Sequence, residues 1–113
     1  MSSGFLAAKK QLPNLGVGLG LRRELAAETF AHRDQIDWLE LVPENYMDLG
    51  GRIRERLDMA LEKFPLVTHG VNLSIGSTDP LSVDYLDSIS RLLNKIDAPW
   101  WSDHLCFTSI ENS

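Results

Sequence analysis

Phe64-Pro65-Leu66-Val67-Thr68-His69-Gly70-Val71 closes one kind of pattern and opens another. Before it, Ile53, Leu57, Ala60, Leu61 and Phe64 recur on one face of a 3.6-residue period, which predicts an amphipathic helix. Pro65 cannot continue that helix. Residues 66–71 are short and apolar, which reads as a buried strand. The strand carries a histidine and a glycine at its carboxyl end. A helix, a stop, a buried strand and a polar strand end make one βα-type unit.

The same unit recurs on both sides. Residues 15–21, Leu-Gly-Val-Gly-Leu-Gly-Leu, read as a first buried strand, followed by a helical segment over 23–31 with Leu25, Ala26 and Phe30 as its apolar side. Residues 37–42 read as a second strand stopped by Pro43, and a polar loop with Gly50-Gly51 leads into the helix described above. After residues 66–71, Asp79-Pro80 signals a third helix, whose stripe is Tyr85, Leu86, Ile89, Leu92, Leu93 and Ile96. Asp97-Ala98-Pro99 breaks it, and residues 100–105 read as a fourth strand. The order β-α-β-α-β-α-β, with a repeat of about 30 residues, predicts parallel strands joined by crossover helices. Two architectures fit: an open doubly wound sheet, or part of an eightfold barrel, which needs about 250 residues when complete. Residues 1–12 read as a loose tail. Its lysines follow a short apolar patch (Phe5 to Ala8), the reverse of a signal peptide.

The chain has 113 residues, enough for one domain or less. With 43% hydrophobic and 24% charged residues, it has a globular composition. A net charge of −5 and the lack of any Lys/Arg run argue against a nucleic-acid or anionic-membrane partner. No apolar stretch nears the ~18 residues of a membrane span. The single cysteine, Cys106, permits no internal disulfide framework and suits a reducing compartment, so a cytoplasmic location is expected.

Parallel α/β folds place their ligand site at the carboxyl ends of the strands. There this chain offers Glu44, Asn45 and Tyr46 after strand two, with Glu40 inside it, then His69 at the end of strand three and Asp103 and His104 at the end of strand four. One buried histidine is more often a hydrogen-bonded core residue than a ligand. Two imidazoles one βα repeat apart should occupy neighbouring strand ends, and with two carboxylates on the same rim they would suit zinc, iron or manganese. His32 sits in a charged helix-end segment and reads as a surface residue. Cys106 reads as a buried structural thiol, and Trp100-Trp101 as packing between strands and helices. Gly16-x-Gly18-x-Gly20 lacks the spacing of a dinucleotide loop, since position 21 is Leu21.

Four stretches together, 16–22, 37–46, 64–77 and 99–108, resemble the multinuclear non-haem iron-dependent oxidative enzymes, a family long known only as a domain of unknown function. The resemblance covers residues 13–108. It implies an α/β fold, a partial TIM (β/α) barrel of about four parallel strands and three helices, with residues 13–113 as the N-terminal half of a (β/α)8 domain. It also implies two or three iron ions in the complete fold, dioxygen as co-substrate, and oxidative modification of cysteines in ribosomally made peptides. The expected partners are a precursor peptide and a small protein that presents it. By the same resemblance His69 and His104 are iron ligands. Glu44 lies near the metals, and Asp103 stands where the family has a glutamate, one methylene longer. These two carboxylates are the candidate catalytic residues. Where relatives carry a histidine soon after Gly20-Leu21-Arg22, this chain has Leu25.

The resulting expectation is an N-terminal fragment of an iron-dependent peptide-modifying oxidase, inactive alone. Two imidazoles are fewer than the roughly three protein ligands that oxygen-activating iron sites use. Half a barrel also leaves edge strands that call for a complementing half or self-association. The alternatives are a fragment of a divalent-metal barrel isomerase or hydrolase, and a truncated remnant without enzymatic activity.

Overall fold

The four short apolar runs become four parallel strands of one sheet in a computed structural model that describes residues 3–111. They are β1 (Gly18–Gly20), β2 (Trp38–Leu41), β3 (Leu66–Gly70) and β4 (Trp101–Asp103). The helices are α1 (Ser3–Gln11), α2 (Ala26–Ala31), α3 (Gly51–Lys63) and α4 (Val83–Ile96). The sheet order is β1-β2-β3-β4, with every neighbouring pair parallel. Each crossover therefore adds its strand beside the previous one. A doubly wound sheet would reverse direction at a switch point, whereas barrel strands follow one another in sequence. The fold is α/β, a partial TIM barrel.

Register decides which side chains meet. Leu39 pairs with Leu66, Leu41 with Thr68, His69 with Ser102 and Gly70 with Asp103. Registered partners project to the same face, and successive residues alternate. One face carries Leu39, Leu41 and Leu66, all at most 1% exposed, against Leu57, Ala60 and Phe64 of the α3 segment and Leu92 and Ile96 of α4. This helix-covered face is the core. Removing these apolar side chains from water drives folding at roughly 25 cal/mol per Å². The other face carries Trp38, Glu40, Val67, His69 and Ser102. The Trp38 ring lies so close over Gly18 that a Cβ there would collide with it, which is the close approach the glycine-rich strand permits. Trp38 also meets Trp100 edge-on, with ring centroids 6.4 Å apart. Trp101 lies on the opposite face from Trp100 and is 40% exposed, and Trp100 packs on Trp38 away from the helices, so neither tryptophan packs between strands and helices as expected.

The helices depart from the sequence reading at their ends. The segment over 23–31 begins as a 3-10 turn (Arg23–Leu25) before α2. The third crossover helix starts not at Asp79-Pro80 but at Ser82, whose Oγ accepts the Tyr85 N–H at 3.2 Å. The Asp79 N–H is instead taken by Ser77 Oγ at 3.0 Å. α4 closes on Asp97 in the left-handed region, φ 50°. The outer strands are shorter than predicted because each has one partner among the described residues. Residues 3–11, read as part of a tail, form α1, which buries no side chain. Lys9 and Lys10 in its last turn complement the helix dipole. Met1 and Ser2 of that tail lie outside the described residues. Among the described residues no helix is long and apolar enough to cross a membrane.

Candidate metal centre

β3 and β4 bring His69 and His104 together. His69 shares its face with Ser102, its registered partner. His104 follows β4, and its backbone N–H still bonds the Gly70 carbonyl at 3.0 Å. The two imidazole rings lie with centroids 4.6 Å apart and planes inclined by 46°.

Both rings are held through Nδ1. His104 Nδ1 lies 3.0 Å from the Gly70 carbonyl oxygen. A carbonyl can only accept, so Nδ1 carries a proton and Nε2 is the nitrogen left for coordination. His69 Nδ1 lies 2.7 Å from Ser102 Oγ, which in turn lies 3.5 Å from the Thr68 carbonyl. With the Ser102 hydroxyl turned to that carbonyl, Oγ accepts from His69 Nδ1, and this ring too offers Nε2. A donated Nδ1 proton fixing the tautomer is the usual support of a metal-binding histidine. The donor set therefore fits two ligands of a borderline divalent metal such as iron or zinc. Among the described residues no three His, Cys, Asp or Glu side chains are grouped to hold a metal.

The carboxylates lie elsewhere. Asp103, one residue on from Ser102, projects to the opposite, helix-covered face. A Cβ on Gly70 would collide with the Asp103 carboxylate there and come within 3.0 Å of the Tyr85 hydroxyl. Tyr85 Oη donates to Glu44 Oε1 at 2.7 Å and approaches Asp103 Oδ2 at 3.4 Å. Glu44 Oε1 also accepts the N–H groups of Val71 (2.9 Å) and Asn72 (3.0 Å), just past His69 and Gly70. The four candidate residues thus form two pairs on the two sides of β3, not one cluster on a common rim. Oε2 of Glu44 and Oδ1 of Asp103 are shielded from solvent and have no protein partner, so each can accept a further donor.

Burial alone would raise the Glu44 pKa, but the hydrogen bonds from Tyr85, Val71 and Asn72 outweigh it and hold the carboxyl below its ordinary value. The same pairing acts oppositely on Tyr85. Burial, then the Glu44 hydrogen bond and charge, then Asp103, push its phenol far up, so it is a fixed donor.

His32 is exposed, with Nδ1 2.8 Å from its own helix carbonyl at Glu28. Cys106 is half-buried, its Sγ 4.0 Å from the Val71 carbonyl. Sequence reasoning missed Ser102 and Tyr85. Ser102 could have been found from alternation, since residue 102 shares its side of the strand with residue 104. Tyr85 was absorbed into the apolar stripe of α4, where its ring belongs and its hydroxyl does not.

A family model described as "RiPP precursor modification enzyme MbnB/TglH/ChrH" matches residues 16–113. A UPF0276 protein of Anaeromyxobacter sp. (strain Fw109-5) is 47% identical over 95 residues, which are 84% of this chain and 34% of that protein. UPF0276 proteins of Caulobacter vibrioides (strain NA1000 / CB15N) and Neisseria gonorrhoeae (strain ATCC 700825 / FA 1090) are 40% and 37% identical, over 85% and 80% of this chain and 35% and 33% of their own lengths. The chain spans about a third of the length of these relatives.

Proposed function

Because this chain belongs to the RiPP precursor modification enzyme family MbnB/TglH/ChrH, we propose that it is the N-terminal part of an iron-dependent oxidase that modifies cysteines of a ribosomally made peptide, with His69 and His104 as two of the iron ligands. The observation that carries this reading is the imidazole pair, 4.6 Å apart, each ring tied through Nδ1. When bound, iron supplies the redox chemistry with dioxygen that protein side chains lack. Ser102 and the Gly70 carbonyl accept from Nδ1, orient the two rings and leave Nε2 as the free coordinating nitrogen. Glu44 ties the β2 end to the backbone just after β3, and Tyr85 fixes Glu44 and Asp103 behind the histidine pair. Asp103 acts from behind β3, through the backbone that carries His104, and not as a third ligand. The remaining barrel strands of the family fold and a small peptide-presenting protein complete the working assembly, which resides in the cytoplasm.

The test is iron content after anaerobic reconstitution of this chain with a complementing barrel half, followed by exposure to a cysteine-bearing precursor peptide and air. Iron should load, and the peptide mass should change. His69→Ala and His104→Ala should each abolish both. Normal iron content in the two variants removes the ligand assignment. Preferred loading of zinc or magnesium with no peptide oxidation would favour a hydrolase or isomerase instead.

A further inference from the structure

At the carboxyl ends of β1 and β2 lies a groove of about 790 Å³, beside the β3 and β4 ends that carry the imidazole pair. Arg22, Arg23, Arg52 and Arg56 line it. The chain has 11 Lys and Arg against 16 Asp and Glu, so four of its scarce cations converge on one concavity of an acidic protein. Arg22 and Arg23 enter from the turn after β1. Arg52 and Arg56 stand four apart on α3, where like charges oppose helix formation. No carboxylate among the described residues forms an ion pair with any of the four, and the ion pairs present are Arg91–Asp48 and Lys95–Asp58. Three glutamates, Glu24, Glu40 and Glu44, also line the groove, which leaves it an excess of one positive charge; Glu44 is engaged by Tyr85, Val71 and Asn72, and Glu24 and Glu40 divide the four arginines into separate sites. Arg56 is turned to the Tyr46 hydroxyl, and Arg22, Arg23 and Arg52, which have no ion-pair partner among the described residues, match planar carboxylates, which guanidiniums bind through paired hydrogen bonds.

We infer that this groove takes the side-chain carboxylates of an acidic peptide segment and so sets the register of a peptide relative to His69 and His104. This inference rests on the peptide-modifying reading above. Its geometry is direct: Glu44 lines the groove and also accepts the N–H groups of Val71 and Asn72, immediately after the β3 end. With neighbouring strands about 4.8 Å apart, a peptide anchored at β1 and β2 passes the β3 end within roughly two strand spacings. Two arginines on the turn and two on the helix face offer a two-sided clamp, suited to acidic side chains on both edges of an extended segment.

The probe is a fluorescein-labelled peptide of repeating Glu-Gly-Asp, titrated with this chain in fluorescence anisotropy without added metal. Saturable binding should weaken roughly tenfold or more in Arg22→Glu/Arg52→Glu. It should be unchanged in Arg54→Glu, a position outside the groove. Replacing every acidic residue of the peptide by its amide should abolish binding to the unaltered chain, a control that needs no variant to fold. Equal affinity for the amide peptide, or for the charge-reversed variant, overturns the inference. Displacement by inorganic phosphate at concentrations where free glutamate has no effect overturns it too, and reassigns the groove to phosphate groups. The binding needs no iron. Intact peptide binding with failed iron loading therefore counts only against the oxidase reading, and normal iron loading without peptide binding counts only against the groove.

Discussion

The hydroxyl of Tyr85 donates to Oε1 of Glu44 at 2.7 Å, joining the first turn of α4 to the loop after β2 across 41 positions of chain. Tyr85→Phe keeps the ring in the helix stripe and removes only this donor. It should destabilise the fold by about 1–2 kcal/mol, as expected for a hydrogen bond to a charged acceptor. The variant also carries a pH signature. Glu44 has a folded pKa below its ordinary 4.5, so its ionised form favours the folded state. That contribution is complete above the ordinary value and is lost as pH falls through the lower folded value. Urea midpoints measured downward from pH 6 should converge for the two proteins below this window. A gap that stays constant through it would show that the bond does not tune Glu44.

Gly70 separates the two pairs of candidate residues, and a methyl group there meets the Asp103 carboxylate and the Tyr85 hydroxyl. Gly70→Ala should cost about 1–3 kcal/mol, the range for forcing extra volume into packed space. The measurement is a shift of the denaturant midpoint with unchanged slope. A neutral result would mean that Asp103 swings away freely and is not held by β3.

The strand alternation, the three crossovers and the imidazole pair were legible because each rests on a local rule repeated along the chain. His69 and His104 stand at equivalent ends of neighbouring strands, and parallel register does the rest. Asp103 was misplaced for an equally local reason: it is adjacent to His104 in sequence, and adjacent residues of a strand point to opposite faces. α1 left no signal because it buries nothing, so its apolar residues show no working periodicity. The start of α4 was read from Asp79-Pro80, but Ser77 and Ser82 divide the amide groups there between them, and that competition between side-chain oxygens has no sequence signature.

The outer strands expose apolar surface on the face that elsewhere lies under helices. Leu19 is 51% exposed on β1 and Trp101 40% on β4, while Leu105 and Phe107 beyond β4 reach 90% and 61%. Both strands also have unpaired backbone edges among the described residues. The 113-residue chain should therefore self-associate at micromolar concentration, and a complementing barrel half should suppress this. Multi-angle light scattering reads the mass directly. A monomer with a single sharp thermal transition would contradict the expectation.

In the proposed centre His69 and His104 serve one metal ion jointly. Long-range 15N–1H correlation of the imidazoles during anaerobic Fe(II) titration tests it most directly, with the exposed His32 as internal reference. Before metal, both rings should show an unprotonated Nε2. On titration, the His69 and His104 signals should broaden together at one iron concentration while those of His32 persist, and His104→Ala should remove the response of His69. Broadening of His69 that is unchanged in His104→Ala, or parallel broadening of all three histidines, would contradict a shared site.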